Sequence, residues 1–230
     1  MGEWIKYTVG DKEARAYLAL PDQGSGPGVL LCHAWWGLNG FFQGLADRFA
    51  HEGFVVLAPD LYDGRTAPTI EEAEALTYTL DYKVAINYET AAADCLLAHP
   101  ATQGEQLGAV GFSLGAAYVT WLATLRRQVS AVVVFYGGVE QEADYAVRTK
   151  AAFLGHFAEA DPYEASEEIG RLEEKLRAAR RDVAFHVYPR TGHWFFENDR
   201  PDAYDAEAAE LAWQRTVDFL HRKLGQPQAG

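Results

Sequence analysis

A chain of 230 residues, 49% of them apolar, is long enough to bury a full core without disulfide or metal staples. Its formal net charge of −13 excludes nucleic acid and an anionic membrane surface as electrostatic partners. The two cysteines, Cys32 and Cys95, support neither a disulfide framework nor a zinc site, and both read as small buried hydrophobes. No leader of basic, apolar and small residues opens the sequence, and no apolar run reaches membrane-spanning length, so the expectation is a cytoplasmic protein, a monomer or small homo-oligomer, without cofactor or metal.

Residues Trp4 to Val9 and Glu13 to Leu20 read as an antiparallel pair turning at Gly10-Asp11, with partial alternation of apolar and polar side chains. A glycine-rich loop, Pro21 to Pro27, precedes the short apolar run Val29 to Cys32, the pattern of a buried parallel strand. Gly40 to Glu52 has helical periodicity, with Phe41, Phe42, Leu45, Phe49 and Ala50 on one face, and Phe54 to Ala58 is the next buried strand. Helices follow at Ile70 to Leu80, near Pro68 and Thr69, and at Val84 to Ala98. Strands at Leu107 to Phe112, Val129 to Tyr136, Ala151 to His156 and Val183 to Tyr188 then alternate with helices at Leu114 to Arg126 and Tyr163 to Arg180. Asp205 to Leu224 closes the chain as a helix, and 225–230 reads as a frayed tail. No internal repeat or linker divides residues 1–230, and the alternating charges from Glu167 to Arg181 read as a solvated helix face. Eight strands, six of them alternating with helices, predict an α/β domain: a mostly parallel sheet flanked by helices on both faces.

The sharpest signal is Gly111-Phe112-Ser113-Leu114-Gly115, set between an apolar strand and the small-residue stretch Ala116 to Val119. A G-x-S-x-G turn in this setting is the nucleophile elbow of the α/β-hydrolase fold. Glycines on either side of the serine remove side chains that would collide where the chain reverses. The helix that follows aims its free N–H groups at the place where an oxyanion would form.

A serine hydroxyl needs a base, and the base needs an orienting carboxylate. His193 lies in Gly192-His193-Trp194, in a loop after the final strand, which fits the order serine, acid, histidine of this fold. His51, His99 and His221 belong to helices and His186 to a strand; His33 and His156 end strands at the same edge and are candidates to support the site from behind, with a satisfied structural role the favoured reading. The acid belongs after the strand Ala151 to His156, where Glu159 and Asp161 stand. Asp161, before Pro162, is the choice, with a plain helix cap as its other reading and Asp144 as a weaker alternative. The oxyanion donors are assigned to the backbone N–H of Leu114 and of Trp35, with Trp36 as the alternative to Trp35. Trp36, Tyr82, Trp194, Phe195 and Phe196 are candidate walls of an apolar substrate pocket, about half of them expected to pack the core instead.

These stretches together resemble the dienelactone hydrolase family. The resemblance is carried by His33-Ala34-Trp35-Trp36-Gly37-Leu38-Asn39, Ala58-Pro59-Asp60-Leu61-Tyr62, the elbow itself and Phe135-Tyr136-Gly137-Gly138. Gly155 to Asp161, Gly192-His193 through Phe196, Arg200-Pro201 and Ala203-Tyr204-Asp205-Ala206 continue it, so that it runs from about residue 15 to 222. It implies Ser113, Asp161 and His193 as a triad, Leu114 and Trp35 as oxyanion donors, and a small ester or lactone as substrate, cleaved through an acyl-enzyme. Three positions depart from the family's type enzymes. Ser113 replaces a cysteine, Ala34 stands where a glutamate helps activate that thiol, and Glu197 stands where an arginine helps hold a substrate carboxylate. The first two changes agree with each other, because a serine needs a poised base rather than a managed thiol pKa. Acyl transfer and peptide cleavage are the alternatives on the same residues. A non-catalytic receptor of this fold is the alternative from another class, although such proteins usually lose part of the triad and this sequence has every piece.

Overall fold

The computed structural model describes residues 2–139 and 148–225; Asp144 and the tail beyond Gly225 lie outside them. β1 (Glu3–Val9) and β2 (Lys12–Ala19) form the expected antiparallel hairpin. β2 continues the sheet by pairing antiparallel with β4 (Val55–Pro59). From there every ladder is parallel: β4 with β3 (Gly26–Cys32), then β5 (Thr102–Phe112), β6 (Val129–Phe135), β7 (Ala152–Ala160) and β8 (Val183–Gly192). The strand order is β1-β2-β4-β3-β5-β6-β7-β8.

Six helices among the described residues cover this sheet: α1 (Gly40–His51), α2 (Ile70–Thr77), α3 (Tyr82–Ala98), α4 (Leu114–Leu125), α5 (Ser166–Ala178) and α6 (Ala206–Leu224). Their apolar faces divide between two buried clusters. Phe42, Phe49, Leu76, Trp213 and Leu220 from α1, α2 and α6 pack one side of the sheet. Ile86, Leu96, Leu122 and Leu172 from α3, α4 and α5 pack the other. The starts of these helices are local chemistry: Asn39, Thr69, Asp81 and Asp205 each accept a backbone N–H of the first turn through the side chain. α5 is amphipathic, and its solvated face carries the Glu173–Arg177 pair at 2.7 Å that its alternating charges predict.

Several boundaries differ from the sequence reading, and those of β7, β8 and α5 shape the site. β8 runs through Pro189 to Gly192 instead of ending at Tyr188, because it is the last strand of the sheet and a proline on an edge strand forfeits no ladder bond. β7 lengthens with it, and after an irregularity between Ala158 and Ala160 the ladder closes on the pair Ala160↔Gly192. α5 begins at Ser166 rather than Tyr163, because the Asp161 carboxylate accepts the N–H groups of Tyr163 (2.9 Å) and Glu164 (3.3 Å) and holds that stretch as a turn. α2 stops at Thr77, where the Thr79 hydroxyl bonds back to the carbonyl of Leu76 at 2.7 Å.

Candidate active site

Ser113 stands one residue past β5, with φ 49° and ψ −114°, a conformation L-residues rarely occupy. Its N–H bonds the carbonyl of Phe135 at 2.9 Å, anchoring the turn to β6. Two neighbouring glycines are required by contact. A Cβ on Gly115 would lie 2.5 Å from the carbonyl oxygen of Cys32, and one on Gly137 would lie 2.4 Å from that of Ser113 itself. Backbone packed this closely keeps the serine in its strained conformation.

The ladder that closes on Ala160↔Gly192 delivers the other two groups side by side, since Asp161 and His193 are the residues that follow that pair. His193 Nε2 is 2.9 Å from Ser113 Oγ, and His193 Nδ1 is 2.9 and 2.8 Å from the two Asp161 carboxylate oxygens. The side chains of His193 and Asp161 are 4% and 1% exposed, which removes water as a competitor for these bonds. A carboxylate only accepts, so Nδ1 carries the proton and Nε2 presents its lone pair to the serine hydroxyl. The same carboxylate also caps its own turn, through the N–H groups of Tyr163 and Glu164. Glu159, the competing acid, accepts the N–H of Arg190 at 2.8 Å within the β7–β8 ladder.

A cleft of roughly 350 Å³ opens over Ser113 and His193. Trp35 and Leu114 line it, and Leu114 is the first residue of α4, where a helix leaves its N–H without an intrahelical acceptor. Tyr82 lines it as expected, together with Tyr163 and Glu164, which sequence reasoning placed in a helix and did not single out. Trp194 stacks on Trp35 with ring centroids 6.0 Å apart and faces a neighbouring depression shared with Trp36. Four of the five candidate pocket walls do not line this cleft: Trp194 faces the neighbouring depression, and Trp36, Phe195 and Phe196 are at most 4% exposed. Phe196 packs on Phe112 and Phe135, and Phe195 packs on Tyr136 and Tyr188, because the sharp turn after His193 folds these rings under the site.

Below the histidine lies a buried pair that the sequence did not announce. The Tyr136 ring is 4.8 Å from the His193 ring, and its hydroxyl donates to Glu197 Oε1 at 2.7 Å. Burial pushes the Glu197 carboxyl up to about 8, and burial followed by the nearby Glu197 raises the Tyr136 phenol well above its ordinary value. The only signal available was Glu197 standing close after a candidate catalytic histidine among aromatic residues. A second buried acid, Glu89, accepts from the Cys32 thiol at 2.8 Å on the opposite side of the sheet, and burial lifts it to about 7. His33 and His156 are structural, as read. His33 Nε2 accepts the N–H of Leu61 at 3.3 Å, and His156 is held between the Tyr188 and Thr216 hydroxyls at 2.8 and 3.0 Å. Burial lowers the pKa of both imidazoles. Both cysteines are free thiols; Cys95 is only partly buried. Among the described residues no cluster of His, Cys, Asp and Glu is arranged to hold a metal ion, and no helix is long and apolar enough to cross a membrane.

A mostly parallel eight-stranded sheet, helices on both faces and a strained serine turn between β5 and α4 define an α/β-hydrolase. Within that class the chain belongs to the dienelactone hydrolase family, whose sequence profile matches residues 14–224. It is 31% identical to the Usf protein of Aquifex pyrophilus, over 97% of this chain and 100% of the relative. It is also 31% identical to a Yersinia pestis protein assigned by name to the carboxymethylenebutenolidases, over 95% of this chain and 87% of that one. The crystal structure of a dienelactone hydrolase-like promiscuous phosphotriesterase from metagenomic libraries superposes with a TM-score of 0.87 at 24% identity, covering 98% of this chain and 99% of the other, a likeness of fold.

Proposed function

We propose that this protein hydrolyses small carboxylic esters or lactones, with Ser113 as nucleophile, His193 as general base and acid, and Asp161 as the orienting carboxylate. The observation that carries the reading is the unbroken hydrogen-bonded line from Asp161 through His193 to Ser113 Oγ, ending at the floor of an open cleft. His193 Nε2 takes the hydroxyl proton as Ser113 Oγ attacks the ester carbonyl. The tetrahedral oxyanion is met by the N–H groups of Leu114 and Trp35. His193 then returns the proton to the leaving alcohol, and water repeats the sequence to release the acid and free the serine. Lactones are included because a relative carries the name carboxymethylenebutenolidase, which denotes an unsaturated lactone as substrate. Asp161, firmly seated by two backbone N–H groups, supports the tautomer this sequence of steps needs.

The test is a fluorophosphonate probe on the folded protein, read by intact and peptide mass. One adduct mapping to Ser113, absent after Ser113→Ala or His193→Ala, supports the reading, and those variants lose nearly all ester turnover. An unlabelled Ser113 in folded protein, or turnover retained by either variant, refutes it.

A further inference from the structure

A general base must be held still as well as oriented, and Asp161 restrains only one edge of the imidazole. We infer that Tyr136, clamped by Glu197, is a positioning residue that supports the face of the His193 ring and keeps Nε2 aimed at Ser113 Oγ; the inference rests on the ester-hydrolysis reading of the same site. The bonds from Nδ1 to Asp161 fix a direction, but a hydrogen bond tolerates tipping of the ring about that direction. Three rings close the space in which the imidazole would tip. Tyr136 and Tyr163 each stand with their centroids 4.8 Å from it, and Trp194 meets it edge to face at 5.1 Å. Tyr163 is 45% exposed and Trp194 is partly exposed, whereas Tyr136 is fully buried. Tyr136 is therefore the fixed wall of the three.

Tyr136 is tied to both ends of the proton transfer. It stands one residue past β6 with φ 35°, a conformation that an L-residue keeps only where its surroundings impose it, and its N–H bonds the carbonyl of His156 at 2.8 Å. The next residue, Gly137, lies so close to the serine turn that a Cβ there would sit 2.4 Å from Ser113 O. The tyrosine backbone is thus locked to the nucleophile while its ring reaches the base. Phe112, Phe135 and Phe195 pack the sides of that ring. Its far end is fixed by the hydroxyl, which donates to Glu197 Oε1 at 2.7 Å where both side chains are fully buried. Glu197 belongs to the loop that carries His193, and its own N–H bonds the carbonyl of Trp194 at 2.9 Å. The clamp therefore closes a ring of contacts from Ser113 through Tyr136 and Glu197 to His193. Burial raises the Glu197 carboxyl to about 8, so at neutral pH the clamp acts by position and puts no charge under the imidazole. An acid where the type enzymes carry an arginine serves the histidine here.

The experiment separates positioning from stability. Tyr136→Phe keeps the ring and opens the clamp, and Glu197→Leu opens it from the other side. Each single variant leaves a buried polar group unpaired and lowers Tm, whereas the double variant removes both groups and recovers most of that loss. In all three, kcat for a neutral ester falls about fivefold or more while KM stays within about twofold. Tyr136→Leu, which takes away the ring face, lowers kcat about 10²-fold. The proton on His193 Nδ1 reads the same positioning without turnover. Its low-field NMR signal, identified by its absence from His193→Ala, exchanges with water about fivefold faster or more in both single variants. Faster exchange together with a Ser113 that neither esters nor a fluorophosphonate modify would sustain this inference and overturn only the hydrolysis reading. Ester turnover whose kcat returns with Tm in the double variant, or a kcat and an exchange rate unchanged in the single variants, overturns this inference alone.

Discussion

Glu197→Gln is the substitution whose effect the structure specifies most closely. The glutamine keeps an oxygen for the Tyr136 hydroxyl at the position where Glu197 Oε1 accepts it at 2.7 Å, and it replaces the other carboxyl oxygen by an amide nitrogen that does not ionise. Glu197 is buried at 0% exposure, and its pKa is raised by that burial from 4.5 to about 8. The folded protein therefore holds this proton over a window in which the unfolded chain has released it. Its contribution to stability is fully present below pH 4.5 and is lost as the pH rises toward 8, at up to about 1.4 kcal/mol per pH unit. Between pH 5.5 and 7.5 the wild type loses roughly 2–3 kcal/mol through this group alone, and the glutamine variant loses none of it. For a domain of this size that corresponds to a relative gain of roughly 5–10 °C in Tm for the variant. Glu89, raised to about 7, acts in the same direction, and the depressed His156 acts in the opposite one below pH 6.5. Both are common to the two proteins and cancel in the difference. The assay is thermal or urea unfolding of both proteins across pH 5.5 to 7.5. A stability difference that stays constant with pH would refute the reasoning, because it would mean that Glu197 is already ionised in the folded state.

Asp161→Asn leaves the turn capped but allows the imidazole to be held in the wrong tautomer, so kcat for a neutral ester falls on the order of 10⁴-fold with little change in Tm; a loss under tenfold would remove Asp161 from the mechanism. Gly115→Ala places a Cβ 2.5 Å from Cys32 O and 2.6 Å from His33 O, both backbone, and costs about 3 kcal/mol or more in urea unfolding, with reduced Ser113 labelling. Thr216→Val removes the oxygen that accepts from His156 Nε2 at 3.0 Å and leaves a buried imidazole N–H without its partner, a loss of about 1–3 kcal/mol with ester turnover unchanged. A Thr216→Val protein as stable as the wild type would show that a water takes over that bond.

The roles of the buried polar groups follow from their surroundings rather than their identities. Three histidines, His33, His156 and His193, sit near the ends of parallel strands, yet only His193 faces a hydroxyl at the cleft. The other two are ringed by fixed donors and acceptors inside the protein. Glu197 is similar: an acidic residue in a loop reads as solvated until the turn after His193, with Trp194 at φ 67°, folds it inward beneath Tyr136.

Much of this protein is legible in local pattern, because local pattern is what the physics of its elements requires. Apolar runs such as Val29 to Cys32 and Leu107 to Val110 can only be buried on both faces, and their alternation with amphipathic helices dictates a covered parallel sheet. The elbow is legible because Gly111, Ser113 and Gly115 are constrained within one turn. Asp161 and His193 are legible as a pair through the order of their strands. Other features depend on contacts between residues far apart in the chain. The edge position of β8 let it pass Pro189, and only that extension brought Ala160 opposite Gly192 and Asp161 beside His193. The side-chain bonds of Asp161 stopped α5 from starting at Tyr163 and turned Tyr163 and Glu164 into the cleft. Aromatic residues in the loops gave no sign of which would be wall and which core, since Trp35, Trp36, Trp194, Phe195 and Phe196 have nearly equal reason to be buried. The sequence by itself determined the fold, the strained serine and the order of its partners, because each rests on spacing along the chain. Tertiary structure alone decided the chemistry of the pocket, because a side chain's charge and face count only once distant strands have fixed what surrounds it.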